Sequence, residues 1–312
     1  MLPPHTSCYS WAERQKLKSP QPVVLERLAS VPTTNRPGTR VLDIPAGNGV
    51  ITIPLAAAGF NVTGCDLFPE YAAGNLETFK TRGMRDAFGD SCKGFLSPAL
   101  ERELFGESPP AVPDACNVVK GDMEAELPFN DNTFDVVLCV EGIEHVDAQH
   151  RLLREFHRVL APGGTLLLST PNLLCLRSRV ACSLTGQRTV RSFLDEFTEV
   201  HDRSDDGRIY HGHAFMMNYF QLRYALHNNG FRICRLLPGA MSPTSMVLAP
   251  AMAPFVALYT WLAARRAARK FAAMTGNGQV PPGAASPYDD ILRHVLSSAL
   301  LFGNITIVEA NA

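Results

Sequence analysis

Two aspartates and two glycines occupy informative positions in residues 40–66, which read RVLDIPAGNGVITIPLAAAGFNVTGCD. A glycine-rich turn between a strand and a helix lets backbone N–H groups approach a ligand closely. Gly47 and Gly49 can form such a turn, Asp43 precedes it within the first apolar run, and Asp66 ends the second run. The pattern predicts a ligand that contains a ribose, with Asp66 accepting hydrogen bonds from the ribose hydroxyl groups.

The chemistry of this loop favours one ligand over a dinucleotide. The loop Pro-Ala-Gly-Asn-Gly lacks the third glycine of the dinucleotide-binding pattern. Asp43 would repel a diphosphate, whereas charge-assisted contacts would bind a ligand with an ammonium and a sulfonium group. A ribose with positive charge and no phosphate describes S-adenosylmethionine, which we therefore predict as the cofactor.

Further polar residues follow a later apolar run, in the segment Glu-Gly-Ile-Glu-His at 141–145. Methyl transfer from a sulfonium depends mainly on positioning and on the exclusion of water, so the protein need supply only a base. The unperturbed pKa of histidine, about 6.5, suits a general base near neutral pH. We predict His145 as this base and Glu144 as the second catalytic candidate. The alternative is that His145 only braces the loop.

The elements that must position these residues follow from apolar runs bounded by glycine and proline. Strands are predicted at 39–44, 60–65, 117–121, 133–140, 164–170, 231–237 and 304–310. Helices are predicted at 50–58, 69–79, 98–105, 148–160 and 218–231. Continuous rather than alternating apolar strands are typical of parallel strands buried on both faces. The sequence therefore predicts an α/β fold with a doubly wound, mostly parallel sheet.

Five segments resemble, in order, the motifs of one family. They are VLDIPAGNG at 41–49, GCDLFPE at 64–70, VVKGDM at 118–123, FDVVLCVEGIEHV at 134–146 and RVLAPGGTLLLSTPN at 158–172. The chain resembles class I S-adenosylmethionine-dependent methyltransferases, of the ubiquinone-methyltransferase-like type, over about residues 36–172 and more weakly over 211–237. The resemblance implies a Rossmann-like sheet with an antiparallel final strand and helical insertions. It departs at Pro45 and Ala46, where the family more often has a glycine and a small residue.

The resemblance also implies roles for single residues. Asp66 corresponds to the acid that binds the ribose, and Asp122 to the residue that receives the adenine amino group. The complete set of predicted cofactor-binding residues is Asp43, Ala46, Gly47, Gly49, Asp66, Leu67, Asp122, Met123 and Glu141.

A divalent metal site is a further hypothesis. The segment 141–145 resembles the E-x-x-E-H motif of small-RNA 2′-O-methyltransferases, in which two glutamates and two histidines hold the metal. Glu141, Glu144 and His145 match that motif, His213 matches the downstream ligand, and His211 is a substitute for it. Two carboxylates and two imidazoles suit an ion of intermediate hardness, which could lower the pKa of an acceptor hydroxyl. We take hydrogen bonding among these residues as the default interpretation and the metal as the alternative.

The chain is expected to contain an N-terminal helical segment at 1–35 and one methyltransferase domain at 36–312. Three insertions, at 82–115, 173–213 and 238–303, are expected to select the acceptor, because loops on a rigid scaffold carry specificity. The second of them is predicted to fold over the cofactor edge as a cap. The alternative for this segment is a solvated surface excursion.

The third insertion contains an apolar run at 236–264 without a charged residue, followed directly by RRAARK at 265–270. Pro250 and Pro254 interrupt the run and disfavour a straight helix. We predict a helical hairpin that dips into one leaflet, with the basic residues near anionic head groups, so that 236–270 forms a peripheral membrane contact. The alternatives are a buried helical pair and a dimer interface.

Composition limits the function classes and the location. The 312 residues are 46% hydrophobic with a net charge of −1, and we find no basic patch for gripping nucleic acid, so no DNA partner is expected. The eight cysteines form no C-x-x-C pair, which favours a reducing compartment, and the N-terminal residues do not read as a secretory signal. We expect a cytoplasmic protein. If the apolar run contacts lipid, we expect the protein to associate with the inner face of a membrane.

These observations together predict an enzyme that transfers a methyl group from S-adenosylmethionine to an oxygen of a small-molecule, lipid-linked or glycan-linked acceptor. One alternative is an RNA 2′-O-methyltransferase. The segment 141–145 allows this function, but we find neither a basic face nor an aromatic platform for RNA in the sequence. The other is a non-catalytic module that binds the cofactor and regulates a partner. The intact aspartates and glycines of the cofactor motif argue against that second alternative.

Overall fold

The computed structural model describes residues 2, 19–88, 97–106, 116–190, 194–195, 200–203, 209–274 and 287–312. Its strands are β1 (Arg40–Asp43), β2 (Asn61–Asp66), β3 (Asn117–Lys120), β4 (Phe134–Val140), β5 (Leu160–Pro171), β6 (Val200–Arg203), β7 (Ile209–His211), β8 (Arg232–Leu237) and β9 (Ile305–Asn311). Its α-helices are α1 (Gln21–Ala29), α2 (Thr52–Ala57), α3 (Pro69–Arg82), α4 (Met84–Phe88), α5 (Pro98–Phe105), α6 (Gln149–Val159), α7 (Leu176–Thr185), α8 (Tyr219–Asn228), α9 (Pro243–Met274), α10 (Pro287–Val295) and α11 (Ser298–Phe302).

The main sheet has seven strands in the order β3-β2-β1-β4-β5-β9-β8. Strands β1 to β5 are parallel to one another, whereas β9 is antiparallel to both of its neighbours, β5 and β8. The chain order reverses at β1, which places the carboxyl ends of β1 and β4 at a topological switch point, where ligands bind in open α/β sheets. The predicted doubly wound, Rossmann-like fold with an antiparallel final strand is confirmed.

Alternate residues of the central strands pack on opposite faces of the sheet. Val41 belongs to one apolar cluster and the next residue, Leu42, to another, and neither is exposed. Helix α6 covers the second face with Leu152, Leu153, Phe156 and Val159, which recur at helical spacing and are fully buried. Burial on both faces is the reason why these strands read as continuous apolar runs.

Helix α1 packs on the first face of the sheet. Val24, Leu25 and Leu28 are fully buried in the same cluster as residues of β1 and β4. Arg27 makes a bidentate ion pair with Glu309 of β9, from Nε at 2.7 Å and Nη2 at 2.9 Å, and both side chains are 1% exposed. The helix of the predicted N-terminal segment therefore shares its core with the sheet.

The prediction of a helical hairpin in the third insertion is wrong. Residues 243–274 form one continuous helix, α9, with Pro250 and Pro254 inside it. Proline removes a backbone hydrogen bond, but both prolines lie on the exposed side of the helix, while the opposite side packs against α7, α10 and α11. That packing keeps the helix continuous, and the chain then returns to the sheet as β9, between β5 and β8.

Helix α9 is long and apolar enough over residues 243–271 to cross a membrane by length and composition, and the mean hydropathy of its most apolar 18 residues is 1.6. Its inner face contains Ser245, Met252, Val256 and Ala264 at helical spacing. Its outer face exposes Val247, Leu258 and Trp261. The alternative of a buried helical pair does not fit this exposure.

Candidate active site

The carboxylate of Asp66 is held at the end of β2 by two backbone donors. The N–H of Gly47 donates to Oδ2 at 2.8 Å, and the N–H of Phe68 donates to Oδ1 at 2.9 Å. Each oxygen keeps a further lone pair for another donor, because a carboxylate accepts about four hydrogen bonds. The carboxylate is therefore oriented by the backbone and remains able to accept two hydroxyl groups.

The glycines of the loop have the backbone geometry that only glycine adopts readily. Gly47 has a φ of 53° and Gly49 a φ of 80°. A Cβ at Gly49 would also lie 2.9 Å from Cδ1 of Ile53, whereas a Cβ at Gly47 would meet no atom within 4 Å. The open space at Gly47 is what a ligand that contacts the backbone requires.

Asp43 is placed differently from the prediction that it contacts the cofactor. Its side chain is 1% exposed and accepts a 2.6 Å hydrogen bond from the hydroxyl group of Thr52, the first residue of α2. Burial raises the pKa of Asp43 to about 7, and the charge of nearby Asp66 adds to the increase. In this structure Asp43 ties the loop to α2, and its direct contact with the cofactor stays a prediction.

A cavity of about 330 Å³ lies at the carboxyl end of the parallel strands. It is lined by Ile44, Pro45, Cys65, Asp66, Leu67, Phe68, Gly121, Asp122, Met123, Glu124, Glu141, His145, Val146 and His211. Six of the predicted residues, namely Asp66, Leu67, Asp122, Met123, Glu141 and His145, are therefore brought together. Ala46, Gly47, Gly49 and Asp43 lie outside this lining, in the loop and the strand end beside it.

The cavity fits a cationic nucleoside. Four acidic residues, Asp66, Asp122, Glu124 and Glu141, line it, and no lysine or arginine is among the lining residues. Gly121 packs so closely on the sulfur of Cys65 that a Cβ there would collide with it, which keeps this wall of the cavity thin. These hydrogen-bond acceptors suit the ribose hydroxyl groups, the adenine amino group and the positive charge of S-adenosylmethionine.

Three of the four predicted metal ligands lie together. Ligand atoms of Glu144, His145 and His213 all lie within 4.8 Å of one another, and Nε2 of His213 is 3.9 Å from Oε1 of Glu144. The rings of His145 and His213 are 5.0 Å apart between centroids. Glu141 is not a member of this group; it follows β4 with a φ of 53° and lines the cavity that contains Asp66. His211 contributes its carbonyl oxygen to this region.

Glu144 is fully buried, and neither of its carboxylate oxygens has a hydrogen-bond partner among the described residues. The hydroxyl group of Thr170 is buried beside this carboxyl group. Burial raises the pKa of Glu144 to about 7, the neighbouring charge of Glu141 contributes to the increase, and Thr170 and the charge of Arg188 oppose it. A buried carboxyl group with so few polar partners is unfavourable for folding, which makes Glu144 a candidate functional residue.

The ring of His145 has a defined tautomer. Its Nδ1 lies 2.8 Å from the carbonyl oxygen of His211, and a carbonyl oxygen can only accept a hydrogen bond. Nδ1 therefore carries the proton in the neutral ring, and Nε2 keeps a lone pair for a proton or a metal ion. His211 ends β7, so the predicted cap reaches the site through this residue.

Sequence reasoning missed several residues of the site. Phe68, Gly121 and Val146 line the cavity and follow directly after predicted motif residues, which was the signal available for them. Arg188 was also missed as an individual residue: its charge interacts with Glu141 and Glu144. Its signal was a basic residue within a segment expected to cap the site.

A family profile described as a methyltransferase domain matches residues 13–236, which is more than half of the chain. The chain therefore belongs to the methyltransferase domain family. This membership confirms the predicted class of S-adenosylmethionine-dependent methyltransferases, an enzyme family, and its cofactor.

Two relatives illustrate the similarity. The chain is 33% identical over 135 residues to a ubiquinone biosynthesis O-methyltransferase from Pseudomonas aeruginosa, an alignment that covers 43% of this chain and 45% of that protein. It is 31% identical over 137 residues to a protein of the same name from Xanthomonas campestris, covering 44% of each chain. The chain thus spans less than half the length of the relatives it matches.

Solved structures of other methyltransferases resemble the chain at low identity. A methyltransferase from Archaeoglobus fulgidus has a TM-score of 0.44 and 16% identity, and it covers 97% of this chain and 100% of its own. A methyltransferase from Mesorhizobium loti has a TM-score of 0.41 and 14% identity, covering 93% and 96%. The family assignment rests on the sequence match and the strand order.

Proposed function

We propose that this protein transfers a methyl group from S-adenosylmethionine to an oxygen atom of a small, lipid-like acceptor. The observation that carries the proposal is that Asp66 and His145 line one cavity at the switch point of the sheet. The first residue suits ribose binding, and the second offers a free imidazole nitrogen. The names of the relatives, ubiquinone biosynthesis O-methyltransferases, support an oxygen acceptor on a lipid-like molecule.

The residues of the cavity have separate tasks in this proposal. S-adenosylmethionine supplies an electrophilic methyl group when it is bound. Asp66 binds the ribose, Asp122 binds the adenine amino group, and Glu141 faces the positive charge. The apolar walls formed by Ile44, Leu67 and Val146 exclude water, which favours displacement at carbon by a weak nucleophile.

His145 is the base of the proposed reaction. The carbonyl oxygen of His211 fixes its ring, so that Nε2 accepts the proton of the acceptor hydroxyl group. His145→Ala should lower kcat by about a hundredfold or more, while cofactor affinity stays within about twofold. If kcat of this variant equals that of the wild type, the ring of His145 has a structural role and is not the base.

A divalent ion held by Glu144, His145 and His213 is the second form of the proposal. The unpartnered carboxylate of Glu144 beside two imidazoles supports it, since one carboxylate with two imidazoles is a common donor set for such ions. The ion would lower the pKa of the acceptor hydroxyl group, and His145 would then be a ligand rather than the base. Metal content after dialysis, compared between the wild type and His213→Ala, separates the two forms. A metal-free wild type that is fully active in EDTA would exclude the ion.

The partner of α9 in this proposal is a bilayer with anionic lipids. The helix exposes Val247, Leu258 and Trp261, contains no acidic residue over 243–274, and carries Arg265, Arg266, Arg269 and Lys270 towards its end. The guanidinium group of Arg265 stacks over the ring of Trp261 at 4.4 Å. A helix that lies in the interface agrees with the return of the chain to β9. On this basis the protein is cytoplasmic and peripheral to the inner face of a membrane.

One experiment tests the acceptor class. The protein and deuteromethyl-labelled S-adenosylmethionine are incubated in three parallel reactions, with a total lipid extract, with a polar metabolite extract and with total small RNA. Mass spectrometry then identifies the fraction that carries the label. The proposal expects labelled methoxy groups in the lipid fraction, and Asp66→Ala is the control for cofactor-dependent labelling. Label in RNA would favour the 2′-O-methyltransferase, and binding of the cofactor without label in any fraction would favour a non-catalytic module.

A further inference from the structure

A second and larger cavity, of about 690 Å³, lies between α7 and α9. Most of its wall is apolar, with Leu174 and Leu194 on one side and Met216, Met252 and Val256 on the other. Cavities of this size bury most of the surface of a small-molecule ligand. The cavity is about twice as large as the one that contains Asp66 and His145.

The charged residues of this cavity are of one sign. Arg179 and Arg188 line it, and its lining among the described residues contains no carboxylate. Arg179 donates from Nε to the carbonyl oxygen of Leu174 at 2.7 Å, but its buried Nη2 has no acceptor among the described residues. Burial lowers the pKa of both guanidinium groups. Both side chains are partly buried, and the lining offers the unsatisfied Nη2 atom of Arg179 no carboxylate among the described residues, so an anion in this cavity would be stabilised.

The larger cavity adjoins the reacting groups. Arg188 lines it and also interacts electrostatically with Glu141, which faces the smaller cavity, and with Glu144. Ala214, the neighbour of His213 in the chain, lines it as well. A molecule in the larger cavity can therefore extend towards Glu144 and His145.

We propose that this cavity binds an amphiphilic acceptor, with its apolar chain between α7 and α9 and an anionic group, a carboxylate or a phosphate, bound by Arg179 and Arg188. The inference rests on the proposed function, since it specifies the acceptor of that methyl transfer. Helix α9 supplies one wall of the cavity with its inner face and the proposed membrane contact with its outer face. A chain that leaves the bilayer along α9 reaches the cavity with little exposure to water.

Calorimetry with four matched probes tests the proposal. Dodecanoate, dodecyl phosphate, dodecanol and dodecyltrimethylammonium share one chain and differ in the head group, and each is used below its micellar concentration. Both anionic probes should bind at least tenfold more tightly than dodecanol, and the cationic probe should bind most weakly. The ratio between dodecanoate and dodecyl phosphate tells a carboxylate acceptor from a phosphate acceptor.

Three variants localise the binding. Arg179→Met and Arg188→Met should each weaken the anionic probes about tenfold and leave dodecanol unchanged, because each removes a partly buried cation and keeps an unbranched apolar side chain at that position. Met252→Trp should weaken all four probes by filling the cavity. Arg154→Met is the matched control, since this exposed arginine of α6 lies outside the cavity lining and its loss should change no affinity.

Equal binding of anions and dodecanol to the wild type would overturn the proposal. So would an equal loss in Arg154→Met and Arg188→Met, which would assign the anions to the surface. S-adenosylmethionine is titrated into every variant in parallel. Wild-type cofactor affinity without selective anion binding would refute only this inference, whereas the absence of cofactor binding would refute the proposed function.

Discussion

The cofactor edge of the sheet and the outer face of α9 are stabilised in opposite ways. At the sheet edge, polar groups are hydrogen-bonded to defined partners within the chain, as in the two N–H groups that hold Asp66 and the hydroxyl group that holds Asp43. On α9, large apolar side chains are exposed and no described residue covers them. The first surface is therefore stabilised by contacts within the chain, and the second is an apolar patch of the kind that membranes or partner proteins contact.

The largest effect on stability is expected within the sheet, at the buried ion pair of Arg27 and Glu309. Arg27→Met should lower the free energy of unfolding by about 3 kcal/mol, because it leaves the buried carboxylate of Glu309 with only Arg235, 3.4 Å away and 43% exposed. Urea unfolding measures the change.

The exposed pair of Arg40 and Asp135 is the control for this measurement. Its side chains are 41% and 38% exposed, so Arg40→Met should cost no more than about 1 kcal/mol. Equal costs for the two arginine variants would contradict the contrast between buried and exposed polar groups. The double variant Arg27→Met/Glu309→Leu should recover part of the free energy of unfolding that Arg27→Met loses, since no buried charge is then left unpaired.

The next largest effect concerns the cofactor. Asp66→Ala should weaken the binding of S-adenosylmethionine by about 2 to 3 kcal/mol, because it removes two charge-assisted hydrogen bonds. It should also lower stability slightly, since the N–H groups of Gly47 and Phe68 lose their acceptor. Asp66→Asn keeps one carbonyl oxygen as an acceptor and should therefore weaken cofactor binding less than Asp66→Ala does. Isothermal titration calorimetry that gives wild-type affinity for Asp66→Ala would remove the ribose assignment.

A smaller and pH-dependent effect is expected at Asp43. Its pKa is raised to about 7 in the folded protein, so the fold favours the protonated form, and the contribution is lost as the pH rises through about 7. Asp43→Asn should therefore become more stable relative to the wild type by about 2 kcal/mol between about pH 5.5 and pH 8. Thermal unfolding of both proteins across this range measures the difference. A constant difference would mean that Asp43 titrates near its ordinary value.

The smallest effect on folding is expected on the outer face of α9. Replacing Val247 and Leu258, which are 81% and 49% exposed, by glutamate should change the free energy of unfolding by no more than about 0.5 kcal/mol for each position. The same double variant should lose flotation with anionic liposomes. Tyr224→Glu, at an exposed residue of α8, is the control and should float like the wild type. Unfolding of the double variant would indicate that this face is part of the core, and unchanged flotation would exclude it as the membrane contact.

The predicted strands and the cofactor loop could be read from the sequence because they depend on local signals. Gly47 and Gly49 mark a turn wherever they stand between a strand and a helix, and Asp66 follows an apolar run of strand length. The parallel order of β1 to β5 then brings the ends of the strands to one edge. For this reason six of the predicted site residues line one cavity.

The grouping of the acidic and histidine residues, the continuity of α9 and the larger cavity could not be read from the sequence. They depend on contacts between segments that are distant in the chain. The sequence alone grouped Glu141 with Glu144, His145 and His213, but in the structure Glu141 lies outside the cluster of the other three and lines the cofactor cavity. Pro250 and Pro254 argued for a break in the helix, but packing of the inner face of α9 on α7 and α10 keeps it continuous. The cavity with Arg179 and Arg188 exists only where α7 meets α9. Local propensities act over a few residues, whereas side-chain direction, burial and convergence depend on which surfaces the folded chain packs together.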